Sequence, residues 1–175
     1  MEQTIKGIFL KNIVKRVREK KGPEGLKALE KKYGDLKISA FGEYPLSRYV
    51  DLTNFASEII YGSNGPEAQY DFGKLSFDVY GESILGKTMF SLLGNDAKKV
   101  VMALGNILGT VTPGLHVKTE DLGGNAVKVT MQSNPQHIRH YEGMFSRGLE
   151  YFGKEGHIES TVLGPNNYQY MISWK

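Results

Sequence analysis

Two histidines lie three residues apart in the segment HIRH, at His137 and His140. On a helix this spacing places two imidazoles on one face, where they can bind the same metal ion. A complete site needs a further ligand, from His116, His157 or a carboxylate. Because Ile138 between them belongs to an apolar helix face, we interpret the pair as the solvated edge of that helix and predict no metal site.

Other reactive side chains lack the spacing that catalysis needs. Cysteine is absent, which excludes thiolate metal sites, disulfides and cysteine nucleophiles. No serine lies in a Gly-x-Ser-x-Gly turn. The segment Leu85-Gly86-Lys87-Thr88 ends like a phosphate-binding loop but lacks the upstream glycine spacing and strand. Acidic residues on predicted helices are expected to form local pairs, such as Asp78 with Lys74. We therefore predict no enzyme activity.

Bulk composition narrows the class of protein. The chain has 175 residues, 40% of them hydrophobic, and a formal net charge of +3. These values are typical of one globular domain and give no reason to expect nucleic-acid binding. No apolar run is long enough to cross a bilayer, and lysines interrupt the apolar residues near the N-terminus, unlike in a signal peptide. We predict a cytoplasmic protein, folded as a single domain over residues 1–175.

Hydrophobic periodicity divides this domain into a helical half, residues 1–111, and a sheet-plus-helix half, residues 112–175. The helical half has apolar residues at helical spacing between Gly and Pro punctuation, which predicts helices at about 4–20, 23–34, 47–60, 66–81, 83–93 and 96–109. In the second half, alternation predicts strands at 115–119, 127–131, 157–163 and 168–174, with a helix at 135–153 between the two pairs. The predicted class is α+β, a helical N-terminal half followed by a β-β-α-β-β antiparallel sheet.

The order of elements from Phe90 to Gly153 resembles the haem-carrying half of H-NOX domains, the nitric-oxide and oxygen sensors. A helix leads into Thr112-Pro113, two strands follow, and a long helix begins after Ser133. A closer resemblance, over almost the whole chain, is to an uncharacterised bacterial family abundant as paralogues in myxobacteria. Its matching positions include Tyr44-Pro45, Ile60-Tyr61-Gly62, Pro66-Glu67-Ala68, Gly73, Phe77, Gly86, Phe90, Leu92-Leu93-Gly94 and Asp96.

The H-NOX resemblance implies a haem site that this sequence lacks. At the position of the haem-ligating histidine the chain has Val101, or Val100 or Met102 if the register shifts by one residue. The Tyr-x-Ser-x-Arg motif that holds the haem propionates corresponds to residues 131–135, MQSNP, in which only Ser133 matches. We therefore expect an H-NOX-like protein without haem and predict no cofactor.

Aromatic residues are abundant, with 10 Tyr, 8 Phe and 1 Trp. The resemblance implies that many of them lie where the two halves face each other. They either fill the space of the haem or line a pocket for a hydrophobic small molecule. Our candidate pocket residues are Phe77, Tyr80, Val101, Leu104, Met131, Tyr141 and Phe145.

The first helix has a basic face that includes Lys11, Lys15 and Arg18, our candidate surface for an acidic partner. The alternative interpretation is a solvated helix end whose cations favour its C-terminus. Our leading functional prediction is a non-enzymatic, haem-free signalling or interaction module that acts through a protein partner. The alternatives are a binder or sensor of a hydrophobic small molecule in the haem-equivalent cavity, and a haem-based gas sensor with atypical ligation.

Overall fold

The computed structural model describes residues 3–94 and 96–175. In chain order its elements are β1 (Thr4–Lys6), α1 (Gly7–Tyr33), β2 (Glu43–Pro45), α2 (Leu46–Tyr61), α3 (Pro66–Glu82), α4 (Ile84–Leu93), α5 (Ala97–Val111), β3 (His116–Asp121), β4 (Ala126–Gln132), α6 (Ile138–Tyr151), β5 (Gly156–Gly164) and β6 (Asn167–Trp174). The predicted α+β class is confirmed, with a helical half followed by β-β-α-β-β. No helix within the described ranges is long and apolar enough to cross a bilayer.

The first described element is a short strand at Thr4–Lys6. The prediction that the first helix starts at residue 4 is therefore wrong. Strand β1 pairs antiparallel with β2, and Ile5 lies opposite Tyr44. Helix α1 starts only at Gly7, whose amide donates to the carbonyl of Gly42 at 2.8 Å. The helix bends at Gly22, where φ is +60°, at the punctuation that predicted two helices.

The second half forms a four-stranded antiparallel sheet in the order β3-β4-β6-β5. Alternate residues of β4, Val127, Val129 and Met131, are fully buried and lie opposite alternate residues of β6. Trp174 at the end of β6 is only 8% exposed, so the predicted apolar row of this strand faces the core.

Helix α6 is packed between this sheet and helix α3. The two helices approach so closely that a Cβ on Gly73 would lie 1.9 Å from the carbonyl oxygen of His140. A Cβ on Gly143 would lie 1.9 Å from the carbonyl oxygen of Tyr70. We call this contact the Gly73–Gly143 crossing. It brings the backbone of the helical half directly against the backbone of the sheet half.

Ion pairs at the α3–α6 contact correct one predicted pairing. Asp78 accepts from Nε of Arg147 at 2.7 Å, and Lys74 donates to Glu150 at 2.7 Å. Asp78 and Lys74 therefore each pair with α6 and not with each other, because the neighbouring helix supplies closer partners than the next turn of α3.

Candidate functional site

A cavity of about 100 Å³ lies between the helical half and the sheet half. We call it the inner cavity. Each of the six helices in the described ranges, strand β1 and the loop between β4 and α6 contribute residues to its wall. None of the described side chains that line it belongs to Lys, Arg, Asp or Glu. The cavity is therefore an uncharged space between the two halves of the protein.

Helix α5 contributes an aliphatic wall to the inner cavity. The helix is capped by Asp96, whose side chain accepts a hydrogen bond from the backbone amide of Lys99 at 3.2 Å. Its residues on the cavity side follow helical spacing and are Val100, Leu104, Ile107, Leu108 and Val111. This wall has no group that could bind a metal or a polar ligand.

The structure separates the predicted pocket residues into two groups. The inner cavity is lined by Phe77, Tyr80, Leu104 and Tyr141. The other predicted residues, Val101, Met131 and Phe145, lie in the buried cluster against the sheet. The register of α5 thus places Val100 on the side of the inner cavity and Val101 on the side of the sheet.

Some residues that line the inner cavity also carry buried polar atoms without partners. Three such atoms make no hydrogen bond, and each is closed to a water-sized probe: Oη of Tyr80, Oε1 of Gln136 and Nδ1 of His140. Gln136 and His140 are 3% and 2% exposed. Buried polar groups are almost always satisfied in folded proteins, so these three atoms are exceptions within the packed region between the two halves.

Burial keeps the imidazole of His140 uncharged. Two effects together lower the pKa of His140 to about 3. Desolvation is the larger, and the nearby His137 is the smaller. Burial also raises the pKa of Tyr80, so its hydroxyl keeps its proton. The polar atoms of the cavity therefore act as neutral hydrogen-bonding groups.

Sequence reasoning missed the buried position of His140. The helix was predicted to start at Pro135, with both histidines at its solvated edge. In fact α6 begins at Ile138, and Nδ1 of the exposed His137 accepts from the amide of Arg139 at 3.2 Å. His140 faces inwards because α6 is covered on two sides. Gly143, one turn further along, was the available signal for this second packed face.

The residues at the inner cavity do not fit haem. Ligand pockets for drug-sized molecules have volumes of roughly 300–1,000 Å³, several times that of this cavity. Residues 131–136 include no cation, and in the loop after β4 the side-chain oxygen of Asn134 accepts from the amide of Gln136 at 3.2 Å. The only imidazole among the described lining residues is His140, on a helix held against α3 by the Gly73–Gly143 crossing.

A second and larger recess opens on the surface. This outer groove has a volume of about 650 Å³ and lies between α1, residues 40–41 and the end of α3. Phe41, which is 93% exposed, and Ile8, which is 39% exposed, form part of its apolar lining. Arg16 at its rim is paired with Glu19 at 2.8 Å and with Glu82 at 2.7 Å.

The predicted basic face lies beside this groove. Lys11, Lys15 and Arg18 are all exposed on α1, and Lys15 also lines the outer groove. Lys15 is 3.6 Å from Glu19, whereas no ion pair within the described residues involves Lys11 or Arg18. Residues 7–21 contain six cations and one anion. We call Lys11, Lys15 and Arg18 the basic stripe.

Metal binding has no support in the described part of the chain. No group of three or more His, Cys, Asp or Glu side chains is arranged there to hold an ion. His116 and His157 lie on strands β3 and β5, both exposed. His137 is the N-cap residue of α6. His140 is buried against Phe72, with ring centroids 6.1 Å apart.

Several solved H-NOX structures share this fold. A mutant of Tt H-NOX matches with a TM-score of 0.80 and 16% identity over 98% of this chain and 95% of that chain. A T. tengcongensis H-NOX mutant has a TM-score of 0.78 and 16% identity over 98% of each chain. An unliganded Fe(II) mutant of the K. algicida H-NOX has a TM-score of 0.72 and 17% identity over 98% of this chain and 97% of that one.

These likenesses confirm the H-NOX-like fold predicted from the sequence, while identities this low say nothing about the ligand. No curated protein sequence matches the chain. The family model described as "Protein of unknown function (DUF2378)" matches residues 1–175, in agreement with the predicted resemblance to an uncharacterised family. The chain therefore belongs to the DUF2378 family and has the fold of the H-NOX proteins.

Proposed function

We propose that this protein is a haem-independent signalling module that acts through a protein partner. The observation that carries the proposal is the small volume of the inner cavity, about 100 Å³, beside a purely aliphatic face of α5. A module without a cofactor or a catalytic group passes information through contacts at its surface.

The outer groove and the basic stripe are the surface that we propose for the partner. The groove supplies apolar area around Phe41, and the stripe supplies positive charge on a protein whose net charge is only +3. Charge complementarity then favours an acidic partner segment that also carries apolar side chains. The apolar side chains would enter the groove while the acidic ones contact the stripe.

Haem independence is tested by the colour of the purified protein. Expression with haem available should yield a colourless protein, and histidine at Val100 or at Val101 should not restore tight binding. The cavity volume and the loop at 131–135 oppose haem in both variants. A stoichiometric Soret band that survives gel filtration would instead establish a haem sensor with atypical ligation.

Partner docking is tested by reversing the basic stripe to glutamate at Lys11, Lys15 and Arg18. In a quantitative pull-down from host lysate, an acidic protein recovered by the wild type should be depleted at least about tenfold by this variant. Its recovery by the wild type should also fall as salt is raised.

The matched control reverses three other exposed lysines and produces the same change in net charge. These positions, away from the outer groove, are Lys31, Lys37 and Lys118. The control should retain the partner, and circular dichroism should show both variants folded. Equal recovery by the wild type and the stripe variant would exclude this surface and the proposal with it.

A further inference from the structure

Strand β5 forms one edge of the four-stranded sheet, and β6 is its only neighbouring strand among the described residues. Just before β5, the amide of Lys175 donates to the carbonyl oxygen of Glu155 at 3.0 Å, and the register from there to Val162 has no break. Hydrogen-bonded and non-hydrogen-bonded pairs alternate in an antiparallel ladder, so every second residue of β5 directs its N–H and C=O groups away from β6. These outward residues are Ile158, Ser160 and Val162.

The outward backbone groups of these three residues have no hydrogen-bond partner in the described part of the chain. Two large apolar side chains near the end of the same strand are exposed, Val162 at 63% and Leu163 at 54%. Unpaired backbone groups beside exposed apolar side chains make an edge that can add a further strand.

The opposite edge of the same sheet, strand β3, is protected against such pairing. Charged side chains on an edge oppose the addition of a strand. Those of β3 are Lys118, Glu120 and Asp121. Strand β3 also contacts α5, since the hydroxyl of Thr119 donates to the carbonyl oxygen of Met102 at 3.0 Å. Strand β5 is longer, at 9 residues, and has a single carboxylate, that of Glu159. Of the two edges, β5 is therefore the one suited to pairing.

We propose that β5 pairs with β5 of a second copy of this chain, antiparallel and about a two-fold axis at Ser160. In this register Ile158 lies opposite Val162 of the second copy, so that the outward N–H and C=O groups of all three residues are paired. The two sheets become one continuous sheet. Both copies use the same surface, as in other symmetric dimers.

The side chains of β5 fit this self-pairing. Ile158 packs against the sheet-side core and Ser160 donates to Glu142 of α6, so this set of alternate residues faces α6. Val162 belongs to the same set but is largely exposed. Self-pairing places it beside Ile158 of the second copy, which covers part of its apolar surface.

Charge and strand geometry favour an axis at Ser160 over the neighbouring registers. Glu159 lies opposite Thr161 of the second copy, so the two carboxylates are not directly opposite each other. An axis at Ile158 would leave Val162 unpaired. An axis at Val162 would extend the pairing into the irregularity between Val162 and Gly164.

This contact is independent of the proposed protein partner. Strand β5 belongs to the sheet half, whereas the outer groove and the basic stripe belong to the helical half. Two paired strands of this length bury less than the roughly 1,200 Å² of a standard stable interface. The dimer is therefore weak and should form at chain concentrations of about 0.1–1 mM.

Sedimentation equilibrium over a range of about 0.01–1 mM measures this association. The mass should rise from the 19.5 kDa of one chain towards twice that value. Val162→Lys should weaken the association at least about tenfold, because it places a charge on the paired edge. Val162→Pro is a second variant if Val162→Lys does not fold, since proline is tolerated on an edge and removes one outward N–H.

The matched control is Leu122→Lys. It makes the same change in charge at a side chain that is 45% exposed in the loop between β3 and β4. This variant should associate like the wild type.

Amide hydrogen exchange identifies the surface that is buried. The amides of Ile158, Ser160 and Val162 should exchange more slowly at about 1 mM than at about 0.01 mM, because they are bonded only in the dimer. The amides of Glu159 and Thr161 point to β6 and should be protected equally at both concentrations.

Three results would overturn the proposal. A chain that stays monomeric at 1 mM would show that the edge does not pair with itself. A dimer whose three outward amides exchange equally at both concentrations would place its interface elsewhere. Protection of these amides that appears only on addition of host lysate, with the chain still monomeric, would assign the edge to a different protein.

Discussion

The inner cavity and the outer groove share a wall but differ in volume and in the charge of their linings. The cavity measures about 100 Å³, lies between the two halves and is lined by uncharged groups. The groove measures about 650 Å³, is open to solvent and has charged residues at its rim. The small volume and the neutral lining limit what the cavity can hold, whereas the groove has room for a larger group and charge to attract it.

The small volume of the inner cavity indicates that the H-NOX fold can form without a large internal pocket. The volume between the halves is reduced by side chains of both, including Phe77, Phe90 and Tyr141. The ring of Phe90 lies 6.0 Å from that of Phe77 and 5.1 Å from that of Tyr151, measured between centroids. Aromatic contacts of this kind stabilise a core and leave little space for a large cofactor.

The largest expected effect contrasts one phenylalanine from each recess. Phe77→Ala should lower the free energy of unfolding by about 3–5 kcal/mol, because it removes a ring that is only 9% exposed. Phe41→Ala should change it by less than about 0.5 kcal/mol, because that ring is 93% exposed. Urea denaturation of both variants measures the difference. Similar losses would show that Phe41 is covered in solution.

A somewhat smaller effect is expected at the Gly73–Gly143 crossing, where α3 and α6 are in direct backbone contact. Gly73→Ala should cost about 3 kcal/mol, because its Cβ would overlap the carbonyl oxygen of His140 and the backbones must separate. Gly109→Ala is the control, since a Cβ at this helical position meets nothing within 4 Å. It should gain about 0.5–1 kcal/mol in thermal or urea unfolding. A tolerated Gly73→Ala would refute the close approach.

The smallest effect, about 2 kcal/mol, concerns pH. The pKa of His140 is lowered by burial to about 3, below the value of about 6.5 in an unfolded chain. Between these values the unfolded state binds the extra proton, so stability is present above pH 6.5 and is lost as the pH falls. Lowering the pH from 7.5 to 5 should remove about 2 kcal/mol.

His140→Gln is the variant that isolates this titration. Urea denaturation at the two pH values should show a smaller loss in the variant, by about 2 kcal/mol, because other groups titrate in both proteins. An identical loss in the wild type and the variant would mean that His140 is protonated in the folded state, and hence that water reaches the inner cavity freely.

The order of helices and strands could be predicted because each element has a strong period of its own. Strands β4 and β6 alternate over their full length, and α5 and α6 have continuous apolar stripes. The pairing of β1 with β2 could not be predicted, because three residues are too few to show alternation. Ile5 also continues the four-residue spacing of α1, which hid the strand.

The lining of the inner cavity could not be predicted in full, for two physical reasons. Two adjacent valines, Val100 and Val101, are equally apolar, and only the packing of α5 decides which one faces the cavity. His140 lies on a helix with two buried faces, while a periodicity argument assumes that one face is in water. The basic stripe was predictable because charged side chains on a surface helix stay exposed.

The Gly73–Gly143 crossing has a mechanical consequence for α3. At this crossing the backbones of α3 and α6 are in direct contact, with no side chain between them that could change rotamer. The two helices are therefore rigidly coupled at this point. Helix α3 ends at Glu82, and Val79, Tyr80 and Glu82 in its last turn form part of the outer groove. Helix α3 therefore connects the backbone contact at His140 directly with the lining of the outer groove.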